Sequence, residues 1–149
     1  MFIFETYLVL HNSMHYTRYI RGEKMVIRES AEMYLETILV LSKEGAVRSI
    51  DVAKALNFSR PSVSVTLHNL EKEGYISIAE DQTITLLTKG LDIAKTIYER
   101  HTILTEFFEQ LGVKKDIAVA DACKIEHDIS PESFKAIKKL VKNNRANAK

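Results

Sequence analysis

Cysteine occurs once in these 149 residues, the excess of positive over negative charge is a single unit, and no long hydrophobic run is present. One thiol excludes an internal disulfide framework and suits a reducing compartment, where it is free to serve as a metal ligand. Lys and Arg total 21 against 20 Asp and Glu, a net charge of +1. Composition therefore does not announce a nucleic-acid partner, and any basic surface must be local. No apolar stretch approaches the roughly 20 residues of a membrane span, so no membrane partner is expected. The first residues carry neither a basic leader nor a small-residue cleavage site, which argues against secretion and for a cytoplasmic protein. What remains is ordinary for a globular chain, 46% hydrophobic and 28% charged. That is enough to bury a core in one compact unit or two small ones.

Met1 to Lys24 does not read like the rest. Phe2-Ile3-Phe4 and Tyr7-Leu8-Val9-Leu10 are apolar but interrupted by Glu5. Arg21-Gly22-Glu23-Lys24 can be encoded by purine-rich codons resembling a bacterial ribosome-binding site. Two readings fit residues 1–24: a leader ahead of a native start at Met25, or an ordinary N-terminal tail.

Residues 25–87 have the pattern of a winged helix-turn-helix. Ser30 is placed to cap a helix running to about Lys43, with Tyr34, Leu35, Ile38, Val40 and Leu41 on its apolar side and Gly45 as its stop. Ser49 is placed to cap a short helix, Ile50 to Leu56, and Asn57 tolerates the left-handed backbone of a sharp turn. Ser59 caps the next helix, with Pro61 in its first turn, Val63, Leu67 and Leu70 on its buried side, and Gly74 at its end. Tyr75 to Ile78 and Thr83 to Leu86 alternate as two strands around the polar turn Glu80-Asp81-Gln82, which is a wing. Arg48, Ser49, Ser59, Arg60, Pro61, Ser62 and Ser64 lie at the starts of the two crossing helices. Short hydroxyls and guanidinium groups at such positions suit phosphates and base edges in a major groove, so these residues are the expected DNA contacts.

Residues 88–149 read as all helix. Thr88-Lys89-Gly90 opens a helix to about Gln110 whose stripe of Leu91, Ala94, Ile97, Tyr98, Leu104, Phe107, Phe108 and Leu111 is too broad for one small partner. Such a helix commonly serves both its own domain and a dimer interface. A second helix is expected from about Lys115 through His127, with Ile117, Ala120 and Ala122 as close-packing positions. Ser130-Pro131-Glu132 starts a third, with Phe134, Ile137, Leu140 and Val141 on its apolar face. On the second helix Cys123, Glu126 and His127 share one face. Thiolate, carboxylate and imidazole on one turn form a metal-ligand constellation; the alternative is a buried thiol beside two solvated polar groups.

Five colinear stretches resemble the diphtheria-toxin-repressor and manganese-transport-regulator family of metalloregulators. They are Glu32-Met33-Tyr34-Leu35, Ser59 to Ser64, Leu87-Thr88-Lys89-Gly90, Arg100-His101 and Cys123-Lys124-Ile125-Glu126-His127. The resemblance implies a mainly α chain, an N-terminal winged helix-turn-helix followed by an all-helical metal-binding and dimerisation domain. It places Met33, Cys123, Glu126 and His127 at iron-type primary ligand positions, His101 at a neighbouring or binuclear site, and Glu36 at a manganese-type carboxylate position. Two departures stand out. Thr105 and Val119 replace the carboxylate and imidazole of the iron-type ancillary site, and Val65 replaces a polar base-contacting residue on the recognition helix.

The expected function is a metal-dependent repressor of metal-homeostasis genes that binds a double-stranded operator as a homodimer. Thioether and thiolate with imidazole and carboxylate favour Fe(II), with Mn(II) next. The alternative is a metal-independent winged-helix repressor gated by a small organic ligand; no organic substrate is expected on the first reading. Catalysis by a Cys123–His127 pair lacks visible oxyanion donors and a third orienting group, so no enzyme is expected.

Overall fold

A computed structural model describes residues 23–147. The reading of residues 1–24 as a leader or tail thus falls almost wholly outside the described residues. Among them are six helices and one antiparallel pair of strands: α1 (Glu23–Ser42), α2 (Ser49–Leu56), α3 (Arg60–Lys72), β1 (Ile76–Ile78), β2 (Ile84–Leu86), α4 (Thr88–Gln110), α5 (Lys115–Ile125) and α6 (Pro131–Asn147). The chain is mainly α, a winged helix-turn-helix followed by an all-helical segment, as expected. No helix among the described residues is long and apolar enough to cross a membrane. Two compact units divide between Lys95 and Thr96, inside α4.

In the first unit, α1 begins seven residues before the expected cap, so Ser30 lies inside the helix rather than at its start. Glu23, Lys24, Met25 and Arg28 are good helix formers, and an interior serine costs only a few tenths of a kcal/mol, too little to stop propagation. The cap of α2 also shifts by one residue. The Asp51 carboxylate accepts the Arg48 backbone N–H at 2.9 Å, which makes Arg48 the cap and Ser49 the first helical residue. Asn57 then reverses the chain at φ 52°, the left-handed turn expected of it. Ser59 caps α3 by accepting the Ser62 N–H, with Pro61 in the first turn.

The core of this unit gathers Tyr34, Leu35 and Ile38 of α1, Val52 and Leu56 of α2, and Val63, Leu67 and Leu70 of α3. Ile76 and Ile84 close it from the wing, whose register pairs Ile76 with Leu86 and Ile78 with Ile84. Val47 adds a single bridge to Ile84. The wing turn is held by Asp81, whose carboxylate accepts both the N–H and the hydroxyl of Thr83.

The start of α4 explains Leu87-Thr88-Lys89-Gly90. Leu87 N–H donates to the Tyr75 carbonyl at 3.0 Å, and the Lys89 ammonium lies 3.8 Å from the centre of the Tyr75 ring. Gly90 presses against the same carbonyl: a Cβ there would stand 2.1 Å from Tyr75 O. Glycine is required by close approach, since the residue is helical and not in the left-handed region.

In the second unit the buried hydrophobic residues are Ile97, Ile103 and Leu104 of α4, Ala118, Val119 and Ala122 of α5, and Val141 of α6. Three expectations on packing faces are corrected, one of them Leu140, which is 47% exposed on α6 while Val141 beside it is buried. Ile117 is 48% exposed, because α5 turns the face of Ala118, Val119 and Ala122 inward. Leu111, beyond the end of α4, is 65% exposed and does not continue its stripe.

Candidate metal centre

Four of the expected ligands stand on the second unit. His101 comes from the middle of α4, Cys123 from the last turn of α5, and Glu126 and His127 from the segment that follows. Helix α5 stops at Ile125 rather than His127. Glu126 nevertheless keeps helical dihedrals, φ −59° and ψ −31°, so it projects one turn beyond Cys123 on the same face. The chain then turns into α6, where Ser130 Oγ accepts the Ser133 N–H.

These elements bring three donor types to one point. Single donor atoms of His101, Cys123 and Glu126 all lie within 4.8 Å of one another. His101 Nδ1 is 2.8 Å from Glu126 Oε2 and 3.5 Å from Cys123 Sγ. Donors held at about 2.0–2.3 Å from one ion stand roughly 2.8–3.8 Å apart at octahedral or tetrahedral angles, so these spacings fit a shared cation. On the far side of the carboxylate, Glu126 Oε1 is 3.4 Å from His127 Nε2. The Glu126 carboxylate is 0% exposed and His101 5%. A fully buried carboxylate flanked by two imidazoles and a thiol is a place where a divalent cation would be strongly favoured.

The family resemblance implies a neighbouring or binuclear site for His101; its Nδ1 lies in the same cluster as Cys123 and Glu126. Met33 and Glu36 lie in the other compact unit, one turn apart on α1. Met33 packs partly buried against the winged-helix core, and Glu36 is fully buried.

One supporting residue had no assigned role. Arg100 Nη1 donates to the Glu126 carbonyl at 3.0 Å and to the Ile129 carbonyl at 3.4 Å, and its guanidinium lies 5.7 Å from the Phe134 ring centre. It thereby ties down two carbonyls just beyond the end of α5, on the segment that carries Glu126 and His127. No local pattern announces this, because both acceptors are backbone atoms far along the chain. Arg100→Ala is expected to lower the stability of the metal-free protein by about 1–3 kcal/mol in urea unfolding, the cost of losing charged hydrogen bonds to part-buried carbonyls. Isothermal titration should also show metal binding weakened by about tenfold or more, as for other residues that orient ligands.

The expected DNA contacts Arg48, Ser49, Ser59, Arg60, Pro61, Ser62 and Ser64 are all exposed. They stand at the N-terminal ends of α2 and α3 within the first unit.

A winged helix-turn-helix followed by helices that gather thiol, imidazole and carboxylate defines a DNA-binding metalloregulator. Residues 27–84 match the family described as the N-terminal DNA binding domain of iron dependent repressors, and residues 88–148 match their metal binding and dimerisation domain. The HTH-type transcriptional regulator MntR of Lysinibacillus sphaericus is 33% identical over 113 residues, spanning 75% of this chain and 81% of that protein. The iron-dependent repressor IdeR of Mycobacterium tuberculosis is 29% identical over 117 residues, 77% of this chain and 51% of that one. The solved manganese regulator SloR shares the fold at a TM-score of 0.66 and 24% identity, covering 75% of this chain; the chain spans about half, 53%, of that structure. The chain belongs to the diphtheria-toxin-repressor and manganese-transport-regulator family, and is a metal-dependent transcriptional regulator of metal homeostasis. The relatives found are transcriptional regulators, and the metal-binding family that residues 88–148 match supports a divalent metal as cofactor.

Proposed function

We propose that this protein is a cytoplasmic repressor that holds Fe(II), or Mn(II) where that ion is more available, and binds its operator as a homodimer. The observation that carries the reading is the meeting of His101, Cys123 and Glu126 donors within 4.8 Å. His101, Cys123, Glu126 and His127 are the proposed ligands from the dimerisation half; Met33 and Glu36 are those from the DNA-binding half. Thiolate and thioether make this set softer than an all-oxygen cage, which supports Fe(II) over Mn(II). Zn(II) would bind the same donors at least as tightly in vitro, so the supply of each ion in the cell selects among them.

When bound, the ion supplies positive charge that neutralises buried carboxylate and thiolate. The residues do the rest. Ligands on both halves couple the ion to the placement of two recognition helices, which must meet half-sites about one helical turn apart on the duplex. A difference of about 1–3 kcal/mol between metal-bound and metal-free forms gives a 5–150-fold change in operator affinity.

The test is an anaerobic titration of DNA from upstream of the protein's own gene, with Fe(II), Mn(II), Zn(II) or chelator. Sequence-specific binding is expected to require metal and to vanish with chelator. Undiminished specific affinity in excess chelator would contradict the reading.

A further inference from the structure

Helix α3 buries Val63, Leu67 and Leu70. At 100° per residue the opposite face carries Pro61, Val65, His68 and Lys72, flanked by Ser62 and Ser64. Most of this face is polar, as an exposed helix face should be. Val65 is not: it is 63% exposed, in the second turn of the helix, with no packing role that would call for a branched hydrocarbon. A β-branched residue there even lowers helix propensity slightly.

We propose that Val65 is a specificity-determining residue that reads the C5-methyl group of thymine, one per operator half-site. The inference rests on the DNA-binding reading above and extends it to a particular base. Residues in the first turns of a recognition helix reach base edges in the major groove. Valine carries no donor or acceptor, so opposite adenine, guanine or cytosine it would strip water from a polar edge and return no hydrogen bond. Thymine alone presents an apolar group there.

The neighbours on α3 leave room for this contact. Ser62 and Ser64 are short. The Ser59 hydroxyl is turned onto Ser62 Oγ at 2.9 Å, and the His68 ring is drawn back along the helix by its Nδ1–H to the Ser64 carbonyl at 2.8 Å. The short reach of valine then makes the helix sit close in the groove to touch a methyl group.

The experiment selects bound duplexes from a random library with the full chain and Mn(II), then measures affinity for the selected site by fluorescence anisotropy. One thymine per half-site should prove sensitive to replacement by deoxyuridine, which removes only the methyl group. The expected loss is about fourfold per half-site, the equivalent of one buried methyl group. Val65→Ala should bind the thymine and deoxyuridine duplexes almost equally, and Val65→Gln should select adenine at that position. Selective Mn(II)-dependent binding with no such thymine, or with a deoxyuridine penalty that survives unchanged in Val65→Ala, would overturn this proposal alone. Absence of selective binding with metal would overturn the functional reading and this proposal with it.

Discussion

Glu126→Gln is expected to raise the Fe(II) or Mn(II) concentration required for half-maximal operator binding by about 100-fold, while the helical circular dichroism stays the same. Glutamine keeps the shape of the side chain and an oxygen that can accept from His101 Nδ1, the contact now made at 2.8 Å. What it removes is the negative charge, fully buried between His101 and His127. Neutral amide oxygen is a much poorer partner for a divalent cation than carboxylate, and changes around a metal site that leave the ligands themselves in place already cost 10–100-fold. Cys123→Ala and His127→Ala should move activation in the same direction. A titration in which Glu126→Gln responds to metal like the parent protein would remove this carboxylate from the ligand set.

Gly90→Ala should destabilise the winged-helix unit by about 2–3 kcal/mol, against the usual sign for a glycine inside a helix. At an ordinary interior position the change stabilises by up to about 1 kcal/mol, because alanine is the better helix former. Here the added methyl would stand 2.1 Å from the Tyr75 carbonyl oxygen and 3.2 Å from Leu35 Cδ2. The carbonyl is backbone and already accepts Leu87 N–H, so it has little freedom to withdraw. Helix α4 must therefore shift away from the strand entry, and overpacking of this kind costs about 1–3 kcal/mol or more. The measurement is chemical denaturation of the variant and its parent, metal-free. An unchanged or raised midpoint would mean that the helix start and the strand are not held this tightly.

Most of the secondary structure was legible in the chain because its signals are local. Asn57 in the left-handed turn, Ser59 as a cap and the alternation of the wing strands each depend on neighbours within a few residues. The errors were also local in origin. Ser30 and Ser49 are good caps by type, yet α1 runs through Ser30, and Asp51 makes Arg48 the cap of α2. A capping residue offers an end to a helix; whether the helix takes it depends on what lies upstream and on which carboxylate competes. Ile117 was placed on the packing face of α5, and its exposure reflects which face α4 and α6 leave to be covered.

The residue types and spacing of Cys123, Glu126 and His127, the helix-turn-helix pattern and the family resemblance were determined by the sequence alone, because ligand chemistry and backbone periodicity are written in the order of residues. Only the tertiary structure decided that His101 shares a point with Cys123 and Glu126, that Arg100 anchors the carbonyls behind them, and that Gly90 has no room for a methyl group. Those three facts join atoms 15 to 55 positions apart along the chain. Such encounters depend on how helices cross, and crossing is set by the summed packing of a whole core rather than by any local run of residues.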